Sequence, residues 1–181
     1  MTDHGSTPCV NKLLVTGVGN VLQGDDGFGV ELAHRLMARN DIPADVKIME
    51  TGIGGMSLVQ ELMYGYDALL LLDAYQNNGK PGKLSLLEPL IPDLSDLAPH
   101  ELRDYFCDTH YATPMRALNF LQHVGQMPKV VNILGCEPEE IDDMKLGLSK
   151  VVTDAVSVAE KTVIEWIKHH RTDVYTESEI Q

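Results

Sequence analysis

A continuous apolar run at residues 68–72 restricts the possible fold more than any other feature of this chain. The run reads Ala-Leu-Leu-Leu-Leu and is followed directly by Asp73. It is far too short to span a membrane, and it lacks the alternation of a strand with one solvated face. Uninterrupted short runs are typical of parallel strands that helices cover on both faces. The run therefore predicts an α/β protein.

The flanking segments continue an alternation of strands and helices. Apolar stretches predict further strands at residues 12–18, 46–51, 83–87 and 130–135. Helical spacing or capping residues predict helices that begin near Asp25, Ser57, Thr113 and Ser149. The turn before residues 83–87 is too short for a parallel crossover, so that strand is expected to be antiparallel and at an edge.

Right-handed crossovers then predict a three-layer sandwich, in which a twisted, mostly parallel, five-stranded sheet has helices on both faces. The 181 residues suit one domain. We expect that domain at residues 12–170, between a flexible segment at 1–11 and a polar tail at 171–181. Residues 89–108 are predicted to form a long, irregular, acidic loop.

Charge and cysteine content narrow the class of partner. The chain has 14 Lys and Arg residues against 27 Asp and Glu residues, a net charge of −13. Such a chain repels nucleic acids and acidic membranes, whereas its negative charge would attract a metal cation or a basic protein segment. The three cysteines, Cys9, Cys107 and Cys136, form neither a disulfide framework nor a CxxC pair. No signal-type segment is present in residues 1–11, so we expect a cytoplasmic protein with reduced thiols.

Polar side chains follow the strands at the edge where α/β proteins bind ligands. The carboxyl ends of parallel strands meet at one edge of the sheet. Asp25 and Asp26 follow the first strand, Glu50 ends the second, and Asp73 ends the third. His110 lies just before the helix that begins at Thr113. We therefore expect these groups to face a common edge.

Asp26, Asp73 and His110 are the most informative combination among them. Each residue alone has a structural explanation: a helix first-turn charge, a turn-forming aspartate and a loop histidine. Together they supply two oxygen donors and one nitrogen donor for a divalent first-row metal. Three protein ligands leave coordination positions open for water or substrate, as a catalytic metal site requires.

Other chemistries fit the sequence less well. The segment Gly17-Val18-Gly19-Asn20 begins like a dinucleotide-binding loop, but Leu22 occupies the third glycine position. Acidic residues then stand where a pyrophosphate would bind and would repel it. Cys107 lies near His110 in sequence, but a nucleophilic Cys–His pair is less well supported than a structural cysteine.

Several motifs together resemble one known family. Residues 14–30, LVTGVGNVLQGDDGFGV, resemble the N-terminal signature of hydrogenase maturation endopeptidases. Further matches follow in the same order, at residues 71–74, 80–82, 109–110, 125–128, 134–138 and 148–149. The resemblance covers about residues 12–168. It implies that Asp26, Asp73 and His110 occupy metal-binding positions. The family commonly has Asp where Glu50 stands in this chain.

The resemblance also implies a reaction: removal of the C-terminal extension of a nickel-iron hydrogenase large-subunit precursor. We expect the protease to be a monomer. The metal is expected to be nickel supplied by the precursor, which zinc or cadmium can replace in vitro. Two mechanisms stay open, one in which a metal of the enzyme activates water with Glu50 or Asp25 as base, and one in which substrate nickel serves recognition. The alternative function is that of a non-enzymatic, metal-binding assembly chaperone.

Overall fold

The computed structural model describes residues 11–53, 55–94, 96–107, 113–125, 127–141 and 144–171. Its strands are β1 (Leu13–Val18), β2 (Val46–Gly52), β3 (Ala68–Ala74), β4 (Leu84–Leu87) and β5 (Val130–Cys136). Its helices are α1 (Phe28–Met37), α2 (Gly55–Leu62), α3 (Pro99–Cys107), α4 (Pro114–Val124) and α5 (Lys150–Arg171). A 3-10 turn, Gly24–Gly27, precedes α1. None of the helices in the described ranges is long and apolar enough to cross a membrane.

The five strands form one sheet in the order β2-β1-β3-β5-β4. β1 pairs in parallel with both β2 and β3, and β3 pairs in parallel with β5. β4 runs antiparallel to β5 at the edge of the sheet. The predicted sheet, including the antiparallel edge strand, is confirmed.

Helices cover both faces of the sheet, as predicted. One apolar layer joins α1 and α5 to the sheet and contains Phe28, Leu72 and Trp166, and the other joins α2 and α4 to it and contains Leu69, Leu71 and Leu118. Successive strand residues point to opposite faces, so β3 contributes Leu70 and Leu72 to the first layer and Leu69 and Leu71 to the second. Residues 68–72 of β3 are buried on both faces, which explains why they form an uninterrupted apolar run.

α1 lies unusually close to the carboxyl ends of β1 and β3. A Cβ atom on Gly29 would lie 2.0 Å from the carbonyl oxygen of Leu72 and 2.4 Å from that of Val18. Only glycine fits at this crossing, because any side chain would push the helix away from both strands. The close approach holds the 3-10 turn that carries Asp25 and Asp26 against the end of the sheet.

Three predictions about local structure were wrong. The loop predicted at residues 89–108 contains α3, which packs on α4 through Tyr105 and Asn119. Ser57 does not cap α2, because that helix already begins at Gly55. The helix predicted from Asp25 begins at Phe28, since the two aspartates lie in the 3-10 turn. Nearly all of the predicted terminal segments lies outside the described residues.

Candidate active site

Asp26 lies in the 3-10 turn, just beyond the carboxyl end of β1. The backbone N–H of Asn20 donates a hydrogen bond of 2.6 Å to its Oδ2 atom. The turn can fold this tightly because Gly19 has a φ of +128°, and a Cβ atom there would lie 1.8 Å from the carbonyl oxygen of Asp26. The glycine-rich signature thus shapes a carboxylate-bearing turn.

Asp73 is the penultimate residue of β3, at the same edge of the sheet. Alternation along β3 puts its side chain on the face of Leu69 and Leu71, the face that α2 and α4 cover. Burial, together with the negative charge of Asp26, raises the pKa of Asp73 to about 7. A carboxyl group with this pKa is protonated in about half of the molecules at neutral pH.

The structure brings Asp26 and Asp73 together without neutralising them. Within the described ranges, no lysine, arginine or histidine forms an ion pair with either carboxylate. Neighbouring carboxylates of this kind suit a bound cation or a shared proton. The described residues contain no cluster of three or more potential metal-ligating side chains. His110, the third predicted ligand, lies outside the described residues, just before α4 begins at Pro114.

Glu50 lies on the face of the sheet opposite to Asp73. It follows Val46 and Ile48 on the face of β2 that packs against α1, whereas Asp73 is on the opposite face of the sheet. Its Oε2 atom lies 2.6 Å from Nε2 of His34 on α1, and about half of each side chain is exposed. Its role as a base stays a prediction, and that role would require Glu50 to leave His34.

Asp25 is a structural anchor, although the sequence made it a candidate base. Its side chain is 1% exposed. The Oδ2 atom accepts hydrogen bonds from the N–H groups of Glu139 at 2.9 Å and Glu140 at 3.1 Å, and Oδ1 accepts from that of Ser149 at 2.6 Å. Burial alone would raise the pKa of Asp25, but hydrogen bonds from Ser149, Glu140 and Glu139 outweigh it and lower the pKa. Its lone pairs are thus already used to hold the segment after β5.

Glu137 anchors the neighbouring loop in a similar way, and the sequence analysis gave it no role. Both of its carboxylate oxygens lie 3.0 Å from the backbone N–H of Asn77, in the loop that follows Asp73. Its backbone N–H and C=O bond to Lys83 and Gly82. The sequence does contain an indication of this anchoring role. In the run Gly135-Cys136-Glu137-Pro138, a charged residue directly follows a buried strand and therefore needs a partner.

Cys136 has no evident part in the chemistry. Its side chain is 1% exposed. Burial, and the charges of Asp25 and Glu137, raise the pKa of its thiol to about 12. A thiol of this kind is almost entirely protonated at neutral pH and is a poor nucleophile. The side chain of Cys107 lies outside the described residues.

Fold and site together define an α/β protein with a carboxylate pair at the carboxyl edge of a mostly parallel sheet. The family model of the hydrogenase maturation proteases matches residues 30–166. The chain therefore belongs to the hydrogenase maturation protease family, and it is an enzyme that hydrolyses peptide bonds.

Individual relatives and a solved structure agree with this family assignment. The chain is 28% identical to the hydrogenase expression/formation protein HupD of Bradyrhizobium diazoefficiens, over 86% of this chain and 80% of that protein. It is 30% identical to a putative hydrogenase maturation protease of Methanocaldococcus jannaschii, over 86% of this chain and 96% of that protein. The solved structure of the hydrogenase maturating endopeptidase HybD from E. coli superposes with a TM-score of 0.70 at 25% identity, covering 87% of this chain and 93% of that one.

Proposed function

We propose that this enzyme removes the C-terminal extension of a nickel-iron hydrogenase large-subunit precursor after nickel insertion. Its family supports protease activity in hydrogenase maturation. The observation that carries the proposal is the Asp26–Asp73 pair, in which the pKa of Asp73 is raised to about 7 and no described cation offsets the charge. Such a pair suits recognition of a cation that arrives with the substrate.

Nickel is, in this proposal, part of the substrate. Asp26 and Asp73 would offer it carboxylate oxygens, and His110 an imidazole nitrogen, a donor set that nickel accepts and that zinc or cadmium can share. Contact with a metal already held in the precursor would fix the nearby polypeptide relative to the protease. The scissile bond would then be positioned before any chemical step.

Asp73 is also suited to proton transfer. A carboxyl group that titrates near neutral pH can accept a proton from an attacking water molecule and return it to the departing amine. Asp26, next to it, helps to keep the pKa of Asp73 high through its negative charge. The same pair therefore fits an aspartyl-type reaction, a metal-dependent one or a combination of both.

The proposal is tested by incubating the purified enzyme with nickel-loaded precursor and measuring the mass of the large subunit. We expect loss of the C-terminal extension with the wild type, and no loss with Asp26→Asn, Asp73→Asn or His110→Ala. Asp67→Asn is the matched control, because Asp67 directly precedes the first residue of β3, at the end of the strand away from the site. It accepts a hydrogen bond from the backbone N–H of Lys12, and an asparagine amide oxygen can accept the same bond. An intact extension after incubation with the wild type would favour the assembly-chaperone alternative.

A further inference from the structure

The side chain of Tyr75 lies beside Asp73, on the same face of the sheet. Gly135 of β5 is the register partner of Asp73. A Cβ atom on Gly135 would lie 2.7 Å from Cβ of Tyr75 and 3.3 Å from its Cγ atom. Ile133, two residues earlier in β5, packs on the face that α2 and α4 cover, so a side chain at position 135 would point there too. Tyr75 therefore fills the place next to Asp73 that the glycine leaves open.

Asp73 is thus flanked on two sides. The sheet order puts β1 on one side of β3 and β5 on the other. Asp26 is held at the end of β1, because its carboxylate accepts a hydrogen bond from the N–H of Asn20, two residues beyond that strand. The side chain of Tyr75 lies over β5. A line across the sheet edge therefore meets Asp26, Asp73 and Tyr75 in turn.

The backbone around Tyr75 is fixed, although its side chain is 40% exposed. The N–H of Tyr75 donates a hydrogen bond of 2.8 Å to the carbonyl oxygen of Cys136. Two residues later, the N–H of Asn77 is held at 3.0 Å by the carboxylate of Glu137. A tyrosine has only two side-chain torsions, so its ring can bind a partner at a low cost in conformational entropy.

The spacing relates the ring to the cleaved bond. Neighbouring strands lie about 4.8 Å apart, and an extended chain rises about 3.3 Å per residue. A polypeptide that crosses the sheet edge with its cleaved bond at Asp73 reaches the strand beneath Tyr75 one or two residues away from that bond. An exposed aromatic ring on a fixed backbone offers such a chain a flat apolar surface.

We infer that Tyr75 is a substrate-binding residue, whose ring packs against the precursor residue one or two positions from the cleaved bond. The inference rests on the proposed function, because it assigns a contact within the same protease site. The contact is made by the ring, through apolar or planar groups of the substrate. Tyr75 contributes to binding and takes no part in proton transfer.

Steady-state cleavage of nickel-loaded precursor by Tyr75→Ala, Tyr75→Phe and wild-type enzyme tests the role of the ring. We expect Tyr75→Ala to raise KM roughly tenfold while kcat stays within about twofold, because a binding contact is lost. Tyr75→Phe keeps the ring and should retain a KM within about twofold of wild type. Tyr64→Ala is the matched control, because Tyr64 is 75% exposed and lies at the opposite edge of the sheet, where Lys12 bonds to its carbonyl oxygen. It should leave both constants unchanged.

A photo-cross-linking amino acid tests the contact directly. With p-benzoylphenylalanine in place of Tyr75, illumination during turnover should attach the enzyme to the precursor within about three residues of the cleaved bond, as mass spectrometry of the peptides can show. The same replacement of Tyr64 should give no cross-link at that place. A residue that only fills space over Gly135 would not reach the substrate.

The outcomes separate this inference from the proposed function. If the wild type cleaves the precursor but Tyr75→Ala has an unchanged KM, the assignment of Tyr75 is overturned alone. A fall in kcat with unchanged KM, or a cross-link remote from the cleaved bond, would also overturn it. A rise in KM that Tyr75→Phe shares in full would exclude the ring as the contact. Absence of cleavage by the wild type would refute the proposed function, and this inference with it.

Discussion

Asp73 is a carboxyl group whose ionisation opposes folding. Its pKa is raised to about 7 from an ordinary value of 3.8, by burial and by the charge of Asp26. A raised carboxyl pKa favours the folded state below the unfolded-state pKa, and this advantage is lost as the pH rises from about 4 to about 7. At pH 8 the folded protein therefore holds a charge that the unfolded chain would accommodate more easily.

We accordingly expect Asp73→Asn to increase the free energy of unfolding at pH 8 while it abolishes processing. One pKa unit corresponds to about 1.4 kcal/mol, and solvent at the sheet edge screens part of the effect, so the gain should be on the order of 2 kcal/mol. Urea unfolding at pH 4 and pH 8 measures it, and the gain should nearly disappear at pH 4. Equal stability of the two proteins at both pH values would contradict the raised pKa.

Asp25 should behave in the opposite way. Its pKa is lowered in the folded protein, so its contribution to stability is present above the usual carboxyl pKa and is lost as the pH falls through the lowered value. Asp25→Asn replaces an acceptor oxygen with an NH₂ group that faces a backbone N–H. We expect a loss of about 2–3 kcal/mol at pH 7, the usual contribution of hydrogen bonds to a charged group.

Denaturant unfolding at pH 7 and in acid tests the prediction for Asp25. The difference between Asp25→Asn and wild type should shrink in acid, where the wild-type carboxylate also becomes protonated. Asp154→Asn is a suitable control, because Asp154 is exposed and, among the described residues, pairs only with Lys150 in the same helix. A pH-independent difference would show that the carboxylate charge does not hold the segment after β5.

The sequence allowed us to predict the carboxylate pair, but not the residues whose hydrogen bonds hold the neighbouring loops in place. Asp26 and Asp73 were predictable together because each comes after an apolar run that predicts a buried strand, and parallel strands bring their carboxyl ends to one edge. Asp25 was misread as a possible base, since its nearest donor in sequence, Glu139, lies 114 positions away. No local pattern reveals such a partner. Glu50 was placed at the correct edge, but which face it occupies depends on strand register.

At the scale of elements, the contact between α1 and the sheet is the tightest constraint. We expect Gly29→Ala to destabilise the protein by about 3 kcal/mol or more, because the added Cβ would lie 2.0 Å from the carbonyl oxygen of Leu72 and neither backbone can yield easily. Processing should fall as well, since the 3-10 turn with Asp26 precedes this helix directly.

Thermal and denaturant unfolding measure that effect. Gly65→Ala is the control, because Gly65 has a φ of +75° but no atom within 4 Å of the position of the new Cβ. It should cost only about 1 kcal/mol of backbone strain. Similar losses in the two variants would show that α1 can move away from the sheet without difficulty.

The predicted elements agree with the structure wherever burial dominates. The helix predicted to begin near Ser149 is α5, and its apolar residues at helical spacing, among them Val152, Val156, Val163 and Trp166, are buried. α3 was missed because its sequence is polar and acidic, so periodicity gave little signal. Tertiary contacts support it instead: the hydroxyl of Tyr105 accepts a hydrogen bond of 3.2 Å from Asn119, and the guanidinium of Arg116 lies over the Tyr105 ring.

At the scale of the whole molecule, the strong negative charge and the carboxylate pair favour a substrate that carries a cation. A flexible C-terminal extension loses about 1–2 kcal/mol of backbone entropy per residue when it is ordered. A metal bridge from the precursor to Asp26, Asp73 and His110 would offset part of that cost, and would do so only after the metal has been inserted.

We therefore expect the enzyme to cleave nickel-loaded precursor and to leave nickel-free precursor intact, even at high concentration. Side-by-side incubation of the two forms, followed by mass spectrometry of the large subunit, measures the difference. Adding nickel to the enzyme alone, before it meets nickel-free precursor, is the control that separates substrate nickel from a metal of the protease. If both forms of precursor were cleaved equally well, nickel would not be the recognition signal, and the mechanism with a metal carried by the enzyme would be favoured. If only nickel-loaded precursor were cleaved, Asp26→Asn and Asp73→Asn should weaken its binding as well as its cleavage, because the same carboxylates would hold the metal and position the peptide.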